Sequence, residues 1–76
     1  MTSINQLKTL LIQYHTPWFE VLYEKKENPQ EYVDKMANDI IDCNDIEEIV
    51  NWHVNFGFEE MDAYCLLIKI LMDYTE

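Results

Sequence analysis

The side chains able to do chemistry in this chain are of few kinds: Cys43 and Cys65, His15 and His53, and fifteen Asp and Glu. Paired carboxylates could serve as general acid and base, a Cys beside a His as an activated nucleophile, and Cys with His as metal ligands. None of these has its customary spacing here. The cysteines stand 22 positions apart with no Cys-x-x-Cys, and no ligand spacing ties either of them to a histidine. Working acids are usually desolvated in a pocket, and a helical chain of 76 residues has little volume for one. The expectation is a protein with no catalytic site, no metal and no cofactor. Both cysteines lie at or beside apolar helical rows and should be small core residues in a reducing, cytoplasmic setting. His53 extends an apolar row and should be partly buried. His15 should sit at a helix C-terminus, where a cation or a hydrogen bond to a free carbonyl is useful. From Asp39 to Val50 the alternating oxygen ligands and central Gly of a calcium loop are missing. Acyl carrier proteins share this length and acidity, but the only serine, Ser3, precedes Ile4 and not the Leu of their Asp-Ser-Leu attachment motif.

What remains is charge. Fifteen acids face five lysines and no arginine, for a formal net charge of -10, which opposes direct binding to DNA or RNA. The charge is also uneven. Residues 1–38 carry five acids and four lysines, whereas residues 39–76 carry ten acids and Lys69 alone. Acids in the first turn of a helix gain about 0.3–1 kcal/mol from its dipole, which accounts for Asp45, Glu47 and Glu48 and for Glu59, Glu60 and Asp62. Asp39 and Asp42 fall in a last turn, where the dipole favours lysine. Asp39/Asp42, Asp45/Glu48 and Glu59/Asp62 are i, i+3 pairs, placing like charges roughly 5–6 Å apart at a cost of about 0.2–0.5 kcal/mol each. In spacing and sign such rows are similar to backbone phosphates, which fall about 3.4 Å apart per strand.

Aromatic residues are the second anomaly, at 13% of so short a chain. Trp52, Phe56 and Phe58 stand next to Glu59 and Glu60, so they could form an apolar binding centre rimmed by acids. The plainer alternative is that Trp52 and Phe56, an i, i+4 pair, pack against the last helix.

The elements that must hold these groups are helical. One Gly and two Pro leave few residues for hairpin turns, and 49% apolar residues are too many for a disordered chain. Ser3 with Gln6 forms a capping box ahead of Ile4, Leu7, Leu11 and Tyr14, a helix expected to end near His15. Thr16-Pro17 then starts a short second helix carrying Trp18, Phe19, Leu22 and Tyr23, with Glu20, Glu24 and Glu27 on its other side. Asn28-Pro29 with Glu31 starts the third, with ridges Tyr32, Met36, Ile40 and Val33, Ala37, Ile41. Asn44 with Glu47 caps the fourth, which runs through Ile46, Ile49, Val50 and His53 to Gly57, the residue suited to a left-handed helix end. In the fifth, Met61, Tyr64, Cys65, Ile68, Leu71 and Met72 hold one face. Ala63, Leu66, Leu67 and Ile70 fill much of the rest, which predicts a central helix or an interface.

The fold class expected is therefore all-α, a compact bundle of four to five short helices in one domain spanning residues 1–76. The longest apolar run, Cys65 to Met72 with Lys69 inside it, is well short of the roughly 20 residues a membrane span needs. With no basic stretch ahead of an apolar one at its start, the chain is expected to be soluble and unprocessed.

Its expected work is stoichiometric binding of a basic, nucleic-acid-binding protein, whose Lys and Arg would meet carboxylates in place of phosphates. The residues expected to carry it are Asp39, Asp42, Asp45, Glu47, Glu48, Glu59, Glu60 and Asp62, with Trp52 and Phe56 as anchors. In size, charge and helicity, though through no motif, the chain resembles the small acidic proteins with which phages and mobile elements block host nucleases, restriction enzymes or CRISPR complexes. That resemblance implies a nucleic-acid mimic acting in the host cytoplasm. Two alternatives are an immunity protein or antitoxin against a basic toxin, and a structural or regulatory protein that assembles with itself as a homodimer or larger oligomer.

Overall fold

A computed structural model describes residues 4–75, with side chains for 4–73, as four helices and no strand: α1 Ile4–Leu22, α2 Pro29–Ile41, α3 Ile46–Phe56 and α4 Glu60–Thr75. They pack into one compact globule of about 40 × 24 × 20 Å, α1 lying against α2 and α4, and α3 against α4 and α2. No described helix is long and apolar enough to cross a membrane.

The largest departure from the expected elements is at Pro17. The first two expected helices are one, and Pro17 lies inside it. A proline there forfeits one i→i−4 hydrogen bond, but Leu7, Leu11, His15 and Phe19 form a single buried i, i+4 row running past it. Breaking the helix at Thr16 would turn half of that row away from the core. Thr16 accordingly does not cap: its Oγ1 donates to Ile12 O at 2.6 Å, back along the same helix. The expected cap at Ser3 lies outside the described residues.

α2 starts as expected at Pro29, although Asn28 makes no side-chain cap; only its carbonyl is engaged, by Glu31 N–H at 3.1 Å. Its buried face is narrower than the two ridges, with Val33, Met36 and Ile40 inside while Tyr32 and Ile41 reach solvent. The cap of α3 is one residue later than expected. Asp45, in extended backbone, accepts from Glu48 N–H at 2.9 Å, and the Glu48 carboxylate reaches back to Asn44 N–H at 2.9 Å. The N-cap carboxylate bonds the N3 amide, while the return bond from Glu48 goes to the residue before the N-cap and so does not close a full capping box. Gly57 ends α3 at φ 130°, with its N–H on the carbonyls of His53 and Val54, as its position implies.

α4 is not central. It buries Ala63, Leu67 and Ile70 and leaves Met61, Tyr64, Cys65, Ile68 and Met72, most of the face expected inside, in contact with solvent. An all-round apolar helix can dock on any side, and the small Ala63 allows the closest approach. Cys65 is thus an exposed residue, not the core residue expected, while Cys43 is buried.

Candidate functional site

The expected partner-binding residues divide between two surface hollows. Asp39 and Asp42, from the end of α2, line the first together with Glu48 and Trp52 of α3 and the buried Cys43. Phe56, Glu59 and Asp62 line the second, joined by Trp18 of α1. Trp52 and Phe56 link the two, stacked with centroids 5.6 Å apart and planes 13° apart. Glu48, Trp52 and Phe56 follow one another at i, i+4 and i+8 on α3, and Glu59, past the helix end at Gly57, lines the same hollow as Phe56, so acids stand at both ends of an aromatic ridge. Asp45 and Glu47 are exposed at the start of α3, and Glu60 at the start of α4.

The ridge is half-buried, and its rings rest on aromatic side chains of α1. Phe56 lies 5.3 Å from Phe19 and 5.4 Å from Trp18, the latter edge-on, and Trp52 stacks over Phe19 at 6.4 Å. Such pairs add about 0.5–1.5 kcal/mol beyond area burial, so the rings are held firmly while their outer edges stay accessible.

The acids are not equally available. Asp45 and Glu48 serve the α3 cap, and Asp39 pairs with Lys35 at 3.2 Å, one turn away on α2. Asp42 and Glu47 make no side-chain hydrogen bond or ion pair with another described residue. The helix-dipole conflict at the end of α2 has a partial remedy invisible in the α2 segment itself. Lys8 of α1 donates its Nζ to Ile41 O at 2.8 Å, bringing a cation to the negative end of the helix beside Asp39 and Asp42. Cys43 donates its Sγ–H to Asp39 O at 3.3 Å, and burial, reinforced by the Glu48 carboxylate, pushes its thiol pKa up. That environment disfavours the thiolate a nucleophile needs.

The histidines form a pair that sequence reasoning missed. His15 is in the middle of α1, not at a helix end, and His53 is fully buried; their Nε2 atoms approach to 3.0 Å. His53 Nδ1 lies 2.8 Å from Ile49 O, which can only accept, so Nδ1 carries the proton and Nε2 accepts from His15 Nε2–H. His15 Nδ1 is then an unprotonated acceptor with no hydrogen-bond partner among the described residues. Trp18, Phe19, Trp52 and Phe58 ring the pair. Burial lowers the pKa of His53 and, with the neighbouring His53, lowers that of His15 to about 4. Both are neutral packing elements near neutral pH. The signal that could have marked His15 as buried is the uninterrupted spacing Leu7, Leu11, His15, Phe19.

Among the described residues no three His, Cys, Asp or Glu side chains converge as a metal site requires. Compared with known proteins, the chain matches no protein family, no curated protein and no solved structure.

Proposed function

We propose that this protein is a non-catalytic inhibitor of a basic, nucleic-acid-binding protein, acting as a mimic of the phosphate backbone. The observation that carries this reading is the stacked Trp52–Phe56 ridge with Asp39, Asp42 and Glu48 beside one end and Glu59 and Asp62 beside the other. A flat aromatic centre supplies desolvated contact area, and the flanking carboxylates supply charge where a groove that binds nucleic acid offers Lys and Arg. The -10 net charge steers such a partner in quickly, and screening weakens the complex as salt rises.

The test is competition. Proteins captured on the immobilised chain at low salt are purified, bound to labelled DNA or RNA, and titrated with the chain. The expected result is release of the nucleic acid, weakened at high salt and abolished in an Asp42→Lys/Glu47→Lys variant. Capture that is independent of salt and of those two residues overturns the reading.

A second reading, assembly of the protein with itself, is favoured by the exposed apolar residues of α4. It uses the outward side of α4 and meets the first surface only at Asp62.

A further inference from the structure

On the side of α4 away from the core, Met61 is 75% exposed, Tyr64 42%, Ile68 56% and Met72 64%, with Cys65 exposed among them. Met61, Cys65, Ile68 and Met72 recur at i, i+4, i+7 and i+11, the spacing of a helix-to-helix seam. At about 1.5 Å per residue the strip is roughly 17 Å long. By helical geometry Asp62, Lys69 and Asp73 lie together along one edge of it. Ala63, Leu67 and Ile70 make the contact of α4 with the core, and among the described residues the strip on the opposite side is exposed to solvent.

We infer that the strip is a homodimer interface, α4 pairing antiparallel with α4 of a second copy about a two-fold axis near Leu66. The strip is self-complementary in that register. Met61 faces Met72 of the second copy, and Tyr64 and Cys65 face Ile68. A two-fold axis across antiparallel helices brings like edges together, so Lys69 falls beside Asp62 of the other copy, and the converse pair forms as well. Charge selects this occupant. Lys69 is the only lysine or arginine in residues 39–76, and it stands at this strip, whereas contact between two copies through the α2–α3 face would set carboxylates against carboxylates. A foreign basic protein is drawn instead to that acidic face. Stable interfaces bury about 800 Å² per partner, and one strip of this length supplies less, so the dimer belongs to the weak, concentration-dependent class.

Sedimentation equilibrium of the full chain tests this. A dimer that dissociates on dilution through the micromolar range is expected, with Ile68→Asp and Met61→Glu each monomeric and as helical as the parent by circular dichroism. Lys69→Glu and Asp62→Lys should each weaken dimerisation several-fold, and the double exchange should restore it. A short bis-maleimide should join two chains through Cys65, and no product should form with Cys65→Ser. A parent that stays monomeric into the millimolar range, or a dimer indifferent to Ile68→Asp and Met61→Glu, overturns the interface. Failure of the double exchange to restore dimerisation, or absence of the Cys65 cross-link in a dimer, overturns the antiparallel register.

Discussion

His15 and His53 meet through their Nε2 atoms, 3.0 Å apart, with both side chains almost wholly removed from solvent, tying the middle of α1 to α3. The hydrogen bond requires an unprotonated Nε2 on one ring, and burial, which lowers the pKa of both, leaves the core built on two uncharged imidazoles near neutral pH. Protonating either places a charge among aromatic rings.

This gives stability a defined pH dependence. The pKa of His15 is lowered in the folded state to about 4 from 6.5, so between those values the unfolded chain binds the extra proton. The histidine contribution is fully present above pH 6.5 and is lost progressively as pH falls toward 4. At roughly 1.4 kcal/mol per pKa unit, the loss is on the order of 3 kcal/mol. Urea midpoints measured across that range should fall with acid, and the slope should shrink in His15→Phe. An unchanged slope would show that the pair titrates as it does in the unfolded chain.

Pro17 occupies an α-helical interior at an exposed position, where it forgoes the bond to Gln13 O. Pro17→Ala should therefore stabilise the protein, by about 1–3 kcal/mol, seen as a higher thermal midpoint. A lower midpoint would mean that the chain uses the proline to set the course of α1.

Asp42 should separate folding from binding. Reversing it at the C-terminal end of α2 removes a carboxylate from the negative pole, so Asp42→Lys should gain about 0.3–1 kcal/mol in thermal unfolding. The same variant should lose affinity for the basic partner proposed above. Lys8→Ala, which removes the cation bonded to Ile41 O, should cost about 1 kcal/mol. Equal loss of stability and affinity in Asp42→Lys would make the residue structural and remove it from the proposed face.

Asp45→Ala removes the N-cap of α3 and should cost about 0.5–2 kcal/mol, measured by chemical denaturation, with Asp45→Asn much milder. Glu47, which lies in the same turn but bonds nothing among the described residues, should tolerate Ala within about 0.5 kcal/mol. If Glu47→Ala proves as costly as Asp45→Ala, the first turn is held by charge alone and not by the cap bond.

The candidate face was legible before the fold in part. Trp52 and Phe56 were marked by their i, i+4 spacing beside acids, and Asp39 and Asp42 by standing at the wrong pole of a helix. Neither pattern says that α2 and α3 bring Asp39, Asp42, Glu48 and Trp52 to one hollow, because that depends on how two helices cross. Lys8 is 33 positions from Ile41, and no local pattern links them.

By itself the sequence determined that the chain is helical, where α2 begins and where α3 ends, since Pro29 and Gly57 act through their own backbone chemistry. It also determined the concentration of acid after Asp39. Only tertiary structure decided the passage of α1 through Pro17, the pairing of His15 with His53 and the side of α4 that is buried. Those outcomes turn on which surfaces meet: burial of the Leu7 to Phe19 row outweighs a local turn preference, and a helix apolar on nearly every side carries no periodic mark of the face its neighbours will cover.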